Sequence, residues 1–222
     1  MSLESVLEER ARASGVQLPA GAAEKCGRHF RLLQTWNKTH NLTRVVDEEG
    51  AARLHYLDGL VPLLRGVAPD SFVDVGSGAG FPGLMAALAW PLANAFLVEP
   101  ARKRASFLQL AIGTMGLEGG RVVVAGDAKE VEGKGAVVMS RATFPPGKRQ
   151  ELVRYLRWGG QVWLWGHPHD AVTWRSEVRT WGFAPLPPVS YRIEGLEERC
   201  ILRAEARAAS DVSRGTDGSI DR

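Results

Sequence analysis

The 222-residue chain predicts an α/β fold, a mostly parallel seven-stranded sheet preceded by a helical extension. Three observations carry that reading. Before residue 70 the apolar residues recur at helical spacing, which makes the leader all-helical. From residue 71 short β-branched runs alternate with helical stretches, a pattern that calls for parallel strands covered on both faces. The first of those runs ends in the glycine cluster Gly76-Ser77-Gly78-Ala79-Gly80, where a strand would turn sharply into a helix.

Each element follows in order. Residues 3–14 place Leu3, Val6, Leu7 and Ala11 on one helical face, and residues 22–36 do the same with Cys26, Phe30, Leu33 and Trp36. A third helix over 48–64 carries Ala52, His55, Tyr56, Gly59, Leu60 and Leu63, with Pro62 set to kink or shorten its end. Strands are expected at 71–76, 94–100, 121–127, 135–142 and 159–166. Helices are expected near 82–89, 103–115, 147–157 and 170–181. Two closing strands, 188–193 and 198–203, flank Gly195 and read as an antiparallel hairpin. The chain thus divides into an extension (1–66), a sheet domain (67–203) and a polar tail (204–222) without apolar periodicity, expected to be disordered.

Composition narrows the function classes. A 45% hydrophobic content supports a sizeable core, and a net charge of +3 is compatible with a nucleic-acid partner without requiring one. Cys26 and Cys200 are the only cysteines and sit in no Cys/His cluster, so neither a metal nor a disulfide framework is expected. The charged start lacks an apolar signal core, and no run approaches the ~18 apolar residues of a membrane span. The expectation is a cytoplasmic protein without a membrane-bound form.

The chemistry concentrates at the strand ends. In Asp74-Val75-Gly76-Ser77-Gly78-Ala79-Gly80-Phe81-Pro82-Gly83 the glycines allow a tight bend and close approach of the backbone to a ligand. The helix start behind them offers free N–H groups to a carboxylate or phosphate. The arrangement is Rossmann-like and points to an adenosine-containing cofactor. GSGAG brings the third glycine one residue earlier than the dinucleotide fingerprint does, and Asp74 would repel a pyrophosphate. An acid there suits an amino group and a sulfonium, hence S-adenosylmethionine and the class I methyltransferase fold.

Glu99 ends the second strand, 23 residues after Gly76, and can accept both ribose hydroxyls. Asp127, after Gly126, is set to accept from an adenine amino group. Arg141 ends the fourth strand in Ser140-Arg141-Ala142. It reads as a cation at the cleft edge, as a scaffold partner of Asp74, Asp127 or Glu99, or as both. Asn37, Lys38 and Asn41 are either polar contacts to RNA or helix-end caps.

The chain resembles the bacterial 16S rRNA guanine-N7 methyltransferases, also called glucose-inhibited division protein B. The resemblance rests on the segments Trp36-Asn37-Lys38-Thr39-His40-Asn41-Leu42-Thr43 and His55-Tyr56-Leu57-Asp58-Gly59-Leu60. It rests further on the glycine loop ending Phe81-Pro82-Gly83, on Arg102-Lys103-Arg104 through Phe107-Leu108, and on Ser140-Arg141-Ala142. Together these span about residues 30–165. The resemblance implies methyl transfer to N7 of one guanine in ribosomal RNA, with 16S rRNA or the small ribosomal subunit as partner. It also implies that Gly76, Phe81 and the residues after Asp127 (Ala128 and Lys129) line the cofactor, and that Arg141 faces the active site.

The sequence departs from that family at two positions. Asp127 stands where the family has a basic residue, and Trp163-Leu164-Trp165-Gly166 replaces a strand with a lysine. Lys129, Lys134, Lys148 and Arg149, or base stacking on Trp165, are candidate substitutes. Guanine N7 has a free lone pair and no proton, so the reaction needs alignment rather than a base. Alignment alone is worth roughly 7–11 kcal/mol of barrier.

The expected cofactor-binding set is therefore Asp74, Gly76, Ser77, Gly78, Gly80, Phe81, Glu99, Asp127, Ala128, Lys129 and Arg141. Arg141 and Asn37 are the candidate catalytic residues, in a monomer without metal. The competing readings are a methyltransferase of the same fold with another substrate and a non-catalytic RNA- or ribosome-binding relative. Glycine spacing disfavours a third, an NAD-dependent oxidoreductase.

Overall fold

The structure is a computed structural model and describes residues 1–117, 122–126, 128–141 and 143–206. Its extension begins with α1 (Leu3–Ala13), whose Ser2 side chain caps the Ser5 N–H and which buries Leu3, Val6, Leu7 and Ala11 as the spacing requires. Helix α2 (Ala22–His40) runs one turn beyond the expected end at Trp36 and stops where Asn41 takes a left-handed conformation, φ 47°. Asp47 then caps α3 (Glu48–Ala51) through Gly50 N–H at 2.7 Å. That helix continues through a π-helical turn (Ala52–Leu57) into α4 (Asp58–Leu60). The helix ends two residues before Pro62 rather than at 64, because proline has no N–H to donate to the Asp58 carbonyl, which accepts from Trp165 instead.

The sheet contains β1 (Ser71–Val75), β2 (Asn94–Val98), β3 (Val122–Ala125), β4 (Gly135–Ser140), β5 (Leu156–Gly166), β6 (Phe183–Tyr191) and β7 (Arg199–Ala206). Their order is β3-β2-β1-β4-β5-β7-β6. The first five strands are parallel, and β7 pairs antiparallel with both β5 and β6. Helices α5 (Gly83–Ala89), α6 (Arg102–Met115) and α7 (Ala171–Thr180) are the crossovers. All five residues of β1 are buried, as a central strand covered on both faces demands.

Three expectations are corrected. The helix expected over 147–157 is a 3₁₀ segment, Arg149–Tyr155, after which β5 begins at Leu156. Its buried residues, Leu152 and Tyr155, are three apart, the 3₁₀ period. Strand β6 starts at Phe183 rather than 188 and contains Pro185, Pro187 and Pro188, which an edge strand tolerates. Strand β7 continues to Ala206, so residues 204–206 belong to the sheet and not to the tail; the tail from 207 lies outside the described residues.

Two cores flank the sheet. On one face the extension contributes Leu7, Phe30 and Tyr56 to a continuous cluster with Leu84 and Phe107 of α5 and α6. On the other, Trp174 and Val178 of α7 pack on Val73, Val138, Val162 and Leu202. The extension and the first half of the sheet domain therefore meet directly over the C-terminal ends of β1 and β4. Among the described residues no helix is long and apolar enough to cross a membrane, and no group of three His, Cys, Asp or Glu side chains gathers.

Candidate active site

The turn after β1 is held from several sides. Gly76 N–H and Ser77 N–H both donate to the Val98 carbonyl at the end of β2, at 2.9 and 3.2 Å. Gly76 and Gly78 have φ of +77° and +55°, which glycine adopts without strain. A Cβ on Gly76 would collide with Thr143, whereas one on Gly78 would enter open space with only the Gly76 carbonyl near, at 3.8 Å. Thr143 and Ser140 each donate to the Val75 carbonyl and so lock the end of β4 onto the end of β1.

Asp74 lies beneath this turn, fully buried. Its Oδ2 accepts from Gly83 N–H at 3.0 Å, and its backbone carbonyl accepts from Ser77 Oγ. A free N–H expected at the helix start is thus taken by the chain's own carboxylate. Burial pushes the Asp74 carboxyl up to about 7, against the hydrogen bonds from Ser77 and Gly83. Its Oδ1 is buried without a hydrogen-bond partner among the described residues.

Glu99 is 3% exposed and points back at the glycines. Its Oε2 accepts from Gly78 N–H at 3.0 Å and its Oε1 from Ala101 N–H at 2.9 Å, so the carboxylate braces the loop. Each oxygen keeps a second lone pair for another donor. Beside it, Thr39–Leu42 and Ala101–Arg104 line a cleft of about 350 Å³ whose charged residues, His40, Arg102, Lys103 and Arg104, are all basic or potentially so. Asp127 lies outside the described residues. Ala128 opens a short 3₁₀ segment, Ala128–Val131, in which Lys129 is exposed.

Arg141 has a partner that sequence reasoning did not name. Its Nη1 donates to the Leu54 carbonyl and to Asp58 Oδ2, both at 3.0 Å. Asp74 and Glu99, expected as scaffold partners, make no ion pair with it; Asp58 does, from 83 residues away. The guanidinium carbon lies 5.5 Å from the centre of the Phe81 ring. Phe81 is itself buried, stacked on His55 at 4.7 Å and met edge-on by His29 and Tyr56. Burial and the nearby Arg141 hold His55 down at about 4, and burial, with His55 beside it, does the same to His29 against the bond to Ala79. Both rings are neutral at pH 7.

Asp58 collects more than Arg141. It is 1% exposed, its Oδ1 accepts from the Tyr191 hydroxyl at 2.6 Å, and its backbone carbonyl accepts from Trp165 Nε1 at 2.9 Å. Arg199 Nε lies 2.7 Å from the same Oδ1, close enough for an ion pair but off hydrogen-bond alignment. An acid on the apolar face of its helix, between Leu57 and Leu60, was the available signal for Asp58. Nothing local to Tyr191 or Arg199 pointed to them.

The remaining candidates separate. Asn37 spends its amide on one residue, accepting from Thr43 N–H and donating to the Thr43 carbonyl, both at 2.9 Å, and Asn41 is the helix cap. Of the two readings left open for these asparagines, the geometry is that of a helix end. Lys38 is exposed and lines a cleft of about 650 Å³ with Arg31 and Gln34. The expected substitutes for the missing cations fare unevenly. Lys134 sits over Phe96 at the opposite end of the strands, Arg149 pairs with Glu177 at 3.2 Å, and Trp165 is too buried to stack on a base.

Residues 22–166 match the GidB family, described as rRNA small subunit methyltransferase G. Similar proteins include Ribosomal RNA small subunit methyltransferase G of Methylobacillus flagellatus, 36% identical over 73% of this chain and 79% of its own. The protein of that name from Nitrosomonas europaea is 41% identical over 70% and 74%. The one from Acidovorax ebreus is 34% identical over 90% and 94%. In fold alone, the chain is similar to a SAM-dependent methyltransferase from Aquifex aeolicus, with a TM-score of 0.53 at 13% identity over 68% and 92% of the two chains. It is likewise similar to a chain in the complex of the Haloferax volcanii Trm112 activator with a putative methyltransferase, with a TM-score of 0.57 at 13% identity over 79% and 97%.

Proposed function

Since the chain belongs to the rRNA small subunit methyltransferase G family, it is an S-adenosylmethionine-dependent ribosomal RNA methyltransferase, and we propose that its acceptor is N7 of a guanine in 16S rRNA. The observation that carries the reading is the pairing of two strand-end groups around one loop: Glu99 braced on Gly78, and Arg141 held over Phe81.

The residues fit the cofactor. The open space at Gly78 admits a ligand where a side chain would stand, and the buried, unpartnered Asp74 Oδ1 is left free to accept from a donor. The backbone of Gly76–Gly80 would hold the methionine end, Glu99 the ribose hydroxyls, and the segment from Asp127 to Lys129 the adenine. S-adenosylmethionine supplies an electrophilic methyl group on its sulfonium.

The protein's own part is alignment. Guanine N7 carries a lone pair and no proton, so no side chain has to remove one. This accords with two neutral histidines, His29 and His55, that serve packing and hydrogen bonding. Arg141 faces the acceptor and steadies the base or an adjacent phosphate, while Asn37 acts through the loop it closes. In this reading the protein acts as a cytoplasmic monomer on the small ribosomal subunit.

Mass mapping of 16S rRNA from cells with and without the gene tests this. One N7-methylguanine should be lost with the gene and restored by the purified protein with S-adenosylmethionine. An unchanged set of methylated guanines would overturn the acceptor assignment.

A further inference from the structure

We propose that Asp58 is the positioning residue for Arg141, and that the C-terminal hairpin holds Asp58 in place through Tyr191 and Arg199. The proposal rests on the reading above in one respect, that Arg141 faces the acceptor.

The π-helical turn supplies the first half of the geometry. Its six residues, Ala52–Leu57, wind more widely than an α-helix, and such turns are frequent at functional sites. Within that turn the Leu54 carbonyl receives Arg141 Nη1, and one turn on, the Asp58 carboxylate receives the same nitrogen. A carbonyl and a carboxylate at 3.0 Å each fix where that nitrogen stands, and the Phe81 ring bounds the guanidinium on another side.

The second half comes from the other end of the chain. An exposed pair between arginine and a carboxylate contributes little and would let the cation swing. Here the carboxylate is 1% exposed and cannot turn without breaking its contacts to Tyr191 and Arg199. Burial pushes the Tyr191 hydroxyl well above its ordinary range, so it remains a donor. Trp165 ties the backbone of the same residue to β5. Four strands thus converge on one acid: β4 through the arginine that follows it, β5, β6 and β7. Tyr191 and Arg199 lie outside residues 22–166, the span that matches the family.

Charge favours positioning over plain scaffolding. Two guanidiniums face one carboxylate, Arg141 with 18% and Arg199 with 21% of the side chain exposed. The cluster is left with one net positive charge at the cleft edge. For scaffolding alone, an apolar cluster of the same volume would hold the fold as well or better.

The test measures kcat, KM for small ribosomal subunits, adenosylmethionine affinity and melting temperature for Asp58→Asn, Tyr191→Phe, Arg141→Ala and the double variant Asp58→Asn/Arg141→Ala. Asp58→Asn should lower kcat by about 100-fold, the scale of a misplaced reacting group, with cofactor affinity kept within about twofold. Tyr191→Phe leaves the buried charge intact, so it keeps the proposal testable even where Asp58→Asn fails to fold, and should lower kcat by about tenfold. In the Arg141→Ala background, Asp58→Asn should cost nothing further in kcat, because its effect runs through the absent arginine. An equal kcat loss from Asp58→Asn in both backgrounds overturns the proposal, as does wild-type turnover in Tyr191→Phe. Full activity in Arg141→Ala would overturn the role of Arg141 as well. Impaired Arg141→Ala beside unimpaired Asp58→Asn and Tyr191→Phe overturns the positioning alone.

Discussion

His29 Nε2 donates to the Ala79 carbonyl at 3.1 Å, which ties α2 of the helical extension to the middle of the glycine loop. The tautomer follows from the partners: a carbonyl only accepts, and the Tyr56 hydroxyl, 2.7 Å from Nδ1, donates.

Stability should therefore fall as the solution is acidified. His29 and His55 are both held at about 4 in the folded chain, against 6.5 in the unfolded one. Between those values the unfolded chain takes up protons that the folded chain refuses, so stability rises with pH by about 1.4 kcal/mol per unit per histidine. Asp74 works in the opposite sense. Its folded value of about 7 exceeds 3.8, so its contribution is present at low pH and lost as pH rises. Two protons against one leave a net of somewhat under one, because the unfolded histidines are not fully protonated at pH 6, and unfolding free energy from urea titration should drop by about 1 kcal/mol from pH 6 to pH 5. A His29→Asn variant should lose one proton of that slope; an unaltered slope removes His29 from the account.

Gly78 and Gly116 make a matched pair for the cofactor site. Both have positive φ, +55° and +62°, and at neither does a Cβ meet a side chain. Alanine at either position should cost roughly 1–2 kcal/mol of stability from backbone strain. Only Gly78→Ala should weaken adenosylmethionine binding, by about tenfold or more, because only there would the methyl enter the ligand's space. Equal affinities in the two variants by calorimetry would sink this placement.

Glu99 should show a double loss. Glu99→Gln keeps the shape but removes the charge that holds Gly78 N–H and Ala101 N–H. A charge-assisted hydrogen bond contributes about 1.5–3 kcal/mol, so affinity should fall roughly ten- to a hundred-fold. The loop should also loosen, read as faster amide exchange at Gly78. Weakened binding with unchanged exchange would separate ligand contact from loop bracing.

Arg102 and Lys103 should report on RNA. They line the cleft beside Glu99, and no acidic residue shares it. Each cation that neutralises a phosphate steepens the fall of log affinity with log salt by about 0.7–0.9. Arg102→Ala/Lys103→Ala should lower that slope by about 1.5 while leaving adenosylmethionine affinity alone. Filter binding on small subunits across salt would show it; parallel slopes would place the RNA elsewhere.

The sheet was legible where its strands are short apolar β-branched runs, and β1 through β5 fall where those runs lie. Strand β6 was shortened because Pro185, Pro187 and Pro188 argue against a strand unless its edge position is known. Arg149–Tyr155 reads as helix from composition, and only its three-residue burial period distinguishes it. At the site, the glycine loop and Glu99 were legible because each sits at a strand end. The partner of Arg141 was not, since a π-helical turn leaves no mark in the sequence and Asp58, Tyr191 and Arg199 meet only after the whole sheet has assembled.

The order β5-β7-β6 puts the last of the described strands in the interior of the sheet rather than at its rim. A nascent chain emerges from its N-terminus, so every strand through β6 leaves the ribosome while the slot between β5 and β6 stands empty. Neither neighbour has its ladder partner until Arg199–Ala206 arrives, and Asp58 still lacks Arg199. A chain truncated at Glu198 therefore leaves β5 and β6 without the strand that joins them, sensitive to proteases and prone to pairing with other chains. The arrival of Arg199–Ala206 closes the sheet and delivers the last member of the Asp58 cluster in one event, so a truncation ahead of Arg199 leaves both incomplete.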